Sequence, residues 1–539
     1  MNKLEFKEKL LKKIQEIANE LGIEKEVFLI EPKGHADLTT NMAMGNKGRD
    51  PHILANEIIS RLNSKELGLE KIEVAGPGFI NFYVDNNFFV KAVNEIIKFG
   101  KKYGKGNKKG KINIEFVSAN PTGFLHVGHA RNAAIGSSIA NIVEFAGYDV
   151  VREYYINDSG NQINVLANSV WARYQQFFNS KFPMPEEAYN GADIIWCAKQ
   201  LKKKYNDKFA GKIINKEIFE KIKSEAVELF MQKNKNILKK FGVWFDVFFS
   251  EKTLYSDNEA KIKEAIRGLD NTFEQDGALW LKTTIHGDDK DRVLIKSDKS
   301  YTYFMPDIAY HKNKFERMGK GSIIMNVWGA DHSGYIKRMQ CAMQDLGQDS
   351  DNLIVLCMQL VRLVRNGEEF KMSKRRGTSF FLSEFIKMVG KDSARFLLLD
   401  RTYNSKLDFD IDLATNKTND NPVILIQYAN ARAYSLLSKS SLNSKKFQAK
   451  KITTEFDTKL ISTLLEFPEI IEKSAEKYIT HLLTQYLVKL AKEFNSWYSN
   501  SPKFIGNENE ESLMAIAKAV NITLENGMRL LAVSTPHKM

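Results

Sequence analysis

Two histidines three residues apart, His126 and His129, flank Gly128 in the run EFVSANPTGFLHVGHARNAAIG that begins at Glu115. Residues at i and i+3 share a helix face, so both imidazoles can point at one spot, while Gly128 leaves room for a planar base or a phosphate to approach the backbone. A helix opening here adds the positive partial charge of its N-terminus. Such an arrangement suits an anion, although in other chains the same spacing is only a polar patch.

A second set of candidates lies in EFKMSKRRGTSF, residues 369–380. Lys371 and Lys374 enclose Met372 and Ser373, with Gly377 just beyond. Lysines recur at this spacing in KEKLLKK near the N-terminus, so the spacing alone carries little. What matters is the position after a late apolar strand. A loop there could close over a triphosphate and neutralise the charge that builds on a leaving pyrophosphate.

These residues need a scaffold. INIEFVS alternates with period two as a strand, NPTG turns, a helix runs to about Phe145 and stops at Gly147, and DVVREYYI follows as a second strand. A second half, GSIIMNVWGA, SGYIKRMQCAMQDL and NLIVLCMQLVRL, repeats the strand–helix–strand order. The expected catalytic unit is therefore an α/β, doubly wound, parallel-sheet (Rossmann-like) domain over residues 111–415. An insertion at about 160–300 interrupts it, helical at first and then strand-forming around DGALWLKTTI and DRVLIKSDK. In such sheets the ligand crevice lies beyond the carboxyl ends of the strands, where both motifs fall. Residues 1–110 read as an N-terminal α/β domain ending in the Lys/Gly-rich linker 98–111, which is either a phosphate-contacting hinge or a solvated connection. Residues 416–539 read as an all-α helical bundle. Leu483, Leu487, Leu490, Ala491, Phe494, Trp497 and Tyr498 recur at spacings of three and four, forming one buried stripe.

The formal net charge of +13 points to a polyanionic partner, or to nothing more than a lysine-rich composition. Cys197, Cys341 and Cys357 are scattered singly, so neither a structural metal nor a disulfide framework is expected. Apolar runs fall short of the ~20 residues of a spanning helix, and the N-terminus lacks the apolar core of a signal peptide. A cytoplasmic location without membrane attachment is expected.

HVGH and KMSKR resemble the HIGH and KMSKS signatures of the class I aminoacyl-tRNA synthetases. In that class an amino-acid carboxylate attacks the α-phosphate of ATP, and the adenylate then passes its acyl group to tRNA. The resemblance assigns ATP to His126, Gly128, His129, Lys371, Met372, Ser373 and Lys374, with catalysis carried by His126, His129, Lys371 and Lys374 and Mg²⁺ entering as part of the ATP complex. A guanidinium substrate would need carboxylates that match its planar fork. Glu115, in the strand leading into HVGH, and Asp307, four residues after Tyr303 in SYTYFMPDIAYHK, are candidates. Each has a plainer alternative: Glu115 as a strand-face acid paired with a lysine, and Asp307 as a helix N-terminal acid following Pro306.

EFVSANPTGFLHVGHARNAAIG, YYINDSGNQI, WGADHSGYIKRM, DNPVILIQYANARA, GFINF and the terminal PHKM are similar to the arginyl-tRNA synthetases over nearly the whole chain. That resemblance implies L-arginine, ATP and tRNA(Arg) as ligands, an N-terminal domain on the tRNA elbow, an anticodon-binding bundle and a monomer. It also implies an arginine pocket of Glu115, Ser118, Asn120, Tyr303, Asp307 and His332, with Asp331 nearby. Many members lack the second lysine of the KMSKS signature, which is present here as Lys374; Arg375 replaces the final serine. Members usually need bound tRNA to activate arginine. A cysteinyl or glutamyl synthetase, or a non-catalytic RNA-binding relative, are the competing assignments.

Overall fold

The computed structural model describes residues 3–30, 36–370, 380–440, 442 and 447–539. The helix Lys3–Glu20 is followed by β1 (Leu38–Thr40), β2 (Leu69–Ala75) and β3 (Phe79–Val84), an antiparallel sheet in the order β1-β3-β2. In β3, Ile80, Phe82 and Val84 are buried and the alternate residues are partly open, as the period-two direction of strand side chains requires. The helix Pro51–Ser60 begins where Asp50 accepts from the amides of His52 (2.8 Å) and Ile53 (3.1 Å), with Pro51 at a position whose N–H would have no helical partner.

The 98–111 run is fastened to its surroundings. Tyr103 is buried and donates to Leu464 O at 2.7 Å, while Lys108 lies 3.2 Å from Glu472 and 2.9 Å from Glu476. Exposed ion pairs contribute little, so the buried ring of Tyr103 is the stronger tie.

After it come β4 (Lys111–Glu115), β5 (Asp149–Ile156) and β6 (Val247–Ser250). A separate antiparallel sheet follows, made of β7 (Thr272–Gln275), β8 (Ala278–Leu281) and β9 (Arg292–Ile295), and then β10 (Ile323–Gly329) and β11 (Leu353–Met358). Strands β4, β5, β6, β10 and β11 form one parallel sheet in the order β11-β10-β4-β5-β6. Strand order reverses between β4 and β10, which opens the crevice of a doubly wound sheet beyond their carboxyl ends. Strand β6 comes from inside the segment expected to be wholly an insertion. Its four residues, VFFS, are too few to show a period, and only pairing with β5 defines them as the sheet edge.

The two sheet faces carry different helices. Ile112, Ile114 and Phe116 point toward the helix Val127–Phe145, whose small residues Ala130, Ala133, Ala134, Gly136 and Ala140 let it lie almost wholly buried. Gly136 is required there, because a Cβ would run into the Phe116 ring. Asn113 and Glu115 point to the opposite face, under the helix Phe304–Met318.

Beyond β11, the strands β12 (Val361–Arg365), β13 (Glu368–Glu369) and β14 (Leu407–Asp410) form a small sheet in the order β13-β12-β14. Among the described residues, five helices close the chain: Pro422–Lys439, Glu455–Leu465, Phe467–Glu476, His481–Asn500 and Glu510–Leu530. In His481–Asn500 the expected stripe is buried, except that Tyr498 is partly exposed. Each fully buried Leu or Phe contributes about 1.5–3 kcal/mol. The buried indole N–H of that stripe is satisfied, since Trp497 Nε1 donates to Asp457 Oδ1 at 2.7 Å. No helix among the described residues is long and apolar enough to cross a membrane.

Candidate active site

Strand β4 delivers Glu115 to the mouth of the crevice and then turns sharply. Val117 and Ser118 adopt left-handed backbone, with φ of 68° and 39°. For non-glycine residues this costs about 1–3 kcal/mol each, and three hydrogen bonds hold it. Val117 N donates to Asn132 Oδ1 (2.6 Å), Tyr155 N donates to Ser118 Oγ (3.0 Å), and Ser118 Oγ donates to Glu115 Oε1 (2.8 Å).

The returning chain reaches His126, the N-cap of the helix Val127–Phe145. Its Nδ1 accepts from Gly128 N at 3.1 Å, and its own amide donates to His129 Nδ1 at 3.2 Å. With both Nδ1 atoms accepting, the proton of each neutral ring sits on Nε2. Burial lowers the pKa of both imidazoles; that of His129 falls to about 3, with His126 as a second cause. The rings, 3.9 Å apart, are therefore neutral N–H donors at the positive end of a 19-residue helix. Gly128 also has a second reason to be glycine: a Cβ would stand 2.8 Å from His126 Cε1. A groove of about 460 Å³ beside the pair is lined by Asn120, Thr122, Tyr189 and Asp193. Asn120 belongs here, exposed and donating to Gln162 Oε1 at 2.6 Å.

Lys371, Met372, Ser373, Lys374 and Arg375 lie outside the described residues. The chain that follows them meets the histidine turn, and Phe370, just before them, packs on that returning chain. Val127 N donates to Phe380 O (2.9 Å), Leu382 N donates to Leu125 O (2.7 Å), and the rings of Phe370 and Phe380 sit 6.4 Å apart.

On the other face of the sheet three carboxylates converge. Asp307, in the first turn of Phe304–Met318, accepts from the Tyr335 hydroxyl at 2.7 Å. Burial pushes its pKa up to about 7; the Tyr335 hydrogen bond opposes this, and the charges of Glu115 and Glu251 add to it. Glu251 opens the turn after β6. Burial likewise raises its pKa, and its Oε2 is buried without a hydrogen-bond partner. Tyr155, Tyr255 and Tyr335 surround these acids and are themselves raised, first by burial and then by the carboxylate charges. Carboxylates whose charges act on one another behind a wall of tyrosines make a site that a cation would stabilise.

Glu115 is already partnered. Its Oε2 accepts from the fully buried Lys314 Nζ and from the Tyr310 hydroxyl (3.1 Å). Lys314 also donates to Asn326 Oδ1 at 2.7 Å, and Asn326 Nδ2 meets His311 Nε2 at 2.8 Å. His311 Nδ1 lies 2.8 Å from Asp307 O, so it carries the ring proton and Nε2 accepts. Burial, then Lys314, holds that imidazole down at about 3.

Tyr303, expected beside the guanidinium, stands at the N-cap of Phe304–Met318 and is 91% exposed, because Phe304, Met305 and Ile308 take the buried positions of that turn. His332 is exposed at the crevice edge, 3.4 Å from Asp331, with its ring 6.1 Å from that of Trp328. Sequence reasoning missed Lys314, Glu251 and Tyr335. Lys314 was legible in principle, since 307, 310, 311 and 314 share one helix face. Glu251 would have stood out had VFFS been recognised as a parallel strand. Among the described residues, no group of three or more His, Cys, Asp or Glu could hold a metal.

Comparison with known proteins agrees with this geometry. Residues 92–409 match the family model for the class I (R) tRNA synthetase catalytic domain, 4–84 that for the arginyl tRNA synthetase N-terminal domain, and 426–539 that for the DALR anticodon binding domain. The chain is 45% identical to the arginine–tRNA ligase of Metamycoplasma arthritidis, covering 99% of each protein. It is 45% identical to that of Mycoplasma mobile, covering 96% of this chain and 97% of the other. The Thermus thermophilus arginyl-tRNA synthetase structure shares the fold, with a TM-score of 0.71 at 20% identity over 99% of this chain and all of that one. By its identity over nearly the full length of these relatives and by its catalytic-domain match, the chain belongs to the arginyl-tRNA synthetases of class I.

Proposed function

We propose that the chain ligates L-arginine to tRNA(Arg) at the expense of ATP, through an arginyl-adenylate. The observation that carries this reading is the acid cluster of Asp307 and Glu251 beside a neutral histidine pair at one switch point. Asp307 and Glu251 receive the guanidinium in charge-assisted hydrogen bonds. Glu115, balanced by Lys314, forms the floor with Ser118, and Tyr303 closes over the entrance from its exposed position. Asn120 and His332 hold the α-amino and carboxylate end.

A carboxylate oxygen of arginine attacks the α-phosphorus of ATP, a P–O bond forms, and pyrophosphate leaves with the electron pair of the broken P–O bond. His126 and His129 donate through Nε2–H to the charge that develops, and Gly128 keeps His126 in place. Lys371 and Lys374, with Met372 and Ser373, act on the phosphates, and Mg²⁺ arrives with ATP as substrate. A terminal ribose hydroxyl of tRNA then attacks the acyl carbon and AMP departs. We assign residues 1–110 to tRNA contact, 111–415 to catalysis and 416–539 to the anticodon, in a cytoplasmic monomer.

Arginine-dependent exchange of labelled pyrophosphate into ATP, with and without tRNA, tests substrate, reaction and partner together. Parallel charging of bulk tRNA with arginine, cysteine and glutamate should yield product with arginine alone. Exchange that ignores arginine would overturn the assignment.

A further inference from the structure

The histidine turn is held by a residue that belongs to neither signature. Asn234, 1% exposed, sits on the helix Lys216–Lys240, within the segment that separates β5 from β6. Its Nδ2 donates to Gly123 O at 3.1 Å and its Oδ1 accepts from Leu125 N at 3.3 Å. The residue between them is held too: Phe124 N donates to Asp193 Oδ2 at 3.3 Å. Asp193 lies in the first turn of another helix, Ala192–Tyr205. The Phe124 ring packs at 5.1 Å from Trp196, 5.8 Å from Phe230 and 5.3 Å from Phe381, so two helices and the 380–382 segment enclose it.

A buried amide is unfavourable unless both of its ends are satisfied. Asn234 is satisfied only by two main-chain groups that would otherwise be stranded, and those groups belong to the chain immediately before His126. Aspartate has the same shape but presents two acceptors, one of them facing Gly123 O, and leucine presents neither donor nor acceptor. The position is therefore selective for the amide itself.

We propose that Asn234, seconded by Asp193, is a positioning residue of the adenylation step: it fixes residues 123–125 so that the Nε2–H of His126 meets the reacting phosphate. This rests on the assignment of His126 to that step. Asn234 touches no reacting atom; its effect passes through the turn that carries His126.

The test is arginine-dependent pyrophosphate exchange, in the presence of tRNA, by full-length Asn234→Asp. The expected result is a fall in kcat of about 10- to 100-fold, with KM for arginine and for ATP within about 2-fold of wild type. Asn234→Asp placed in a His126→Ala background should lower kcat by less than about 2-fold further, because residues acting as one unit are not additive. A purely structural role would instead multiply the two losses. Should Asn234→Asp not fold, Asp193→Asn, which weakens the Phe124 tie and the 3.0 Å bond from Ile194 N to the same carboxylate, is read the same way and should lose less than Asn234→Asp. Unchanged kcat in every folded variant, or losses that multiply with His126→Ala, would overturn the proposal. Absence of arginine-dependent exchange in the wild type would instead overturn the functional reading beneath it.

Discussion

The Tyr335 hydroxyl donates to Asp307 Oδ2 at 2.7 Å, although the pKa of that buried acid is already pushed up to about 7. Glu115, Glu251 and Lys314 are the charged groups that act on it, and Tyr155, Tyr255 and Tyr335 surround the cluster. A raised carboxyl means that the folded state holds its proton more tightly than the unfolded chain. Its contribution to stability is therefore lost as pH rises from the ordinary carboxyl range through about 7. A guanidinium favours the ionised form, so arginine binding should expel a proton. Below neutrality the arginine KM should rise about tenfold per pH unit, and above about pH 8 it should level off. Asp307→Asn should flatten that profile and weaken arginine binding by ~2 to 4 kcal/mol. A flat wild-type profile, measured by arginine titration at fixed ATP and tRNA, would remove Asp307 from the pocket.

Tyr335→Phe tests the same bond from the other side. The hydroxyl stabilises the carboxylate, so its loss should move the midpoint of the KM profile to higher pH while leaving the profile's shape intact. ATP binding should not change. A midpoint that moved down would mean that the hydroxyl favours the protonated acid.

Burial keeps His129 uncharged, near a pKa of about 3. His129→Ala, like Lys374→Ala, should slow adenylate formation by roughly 10²- to 10³-fold while weakening ATP binding much less, because these donors act where charge develops. Gly128→Ala, which pushes a methyl group against the His126 ring, should show the same split. Rapid-quench rates beside equilibrium ATP binding separate the two quantities; equal losses in both would contradict the role.

Lys314 is fully buried, and its ammonium is bound by Glu115 and Asn326. Lys314→Met leaves a buried carboxylate without its counter-charge and should cost about 3–5 kcal/mol in denaturant unfolding. Adding Glu115→Gln should recover most of that loss. If the double variant also binds arginine normally, Glu115 is floor rather than ligand; a large rise in arginine KM would return it to the guanidinium.

Much of this molecule can be read in one dimension. The period of INIEFVS, the turn after it and the apolar spacing along 483–498 depend only on neighbours in sequence, so strand, helix and bundle are legible there. The histidine pair is legible for the same reason, because its geometry is set within one helical turn: His126 caps the helix and His129 caps His126. The second signature lies outside the described residues; the chain that resumes after it, at Phe380, bonds to Val127 of the histidine turn.

Other features exist only once the sheet has closed. Lys314 reaches Glu115 from 199 residues away because the helix Phe304–Met318 lies across the face to which Glu115 points. Glu251 joins Asp307 because β6 pairs with β5, a partnership too short to leave a pattern in VFFS. Tyr303 and Asp307 are four apart, yet one is exposed and the other faces the acid cluster, because the helix begins between them. The sequence determined which chemical groups are present and which local turns present them. Tertiary structure decided which acid is neutralised and which a cation would stabilise, because charge balance in a buried site depends on distances between segments that no local period encodes.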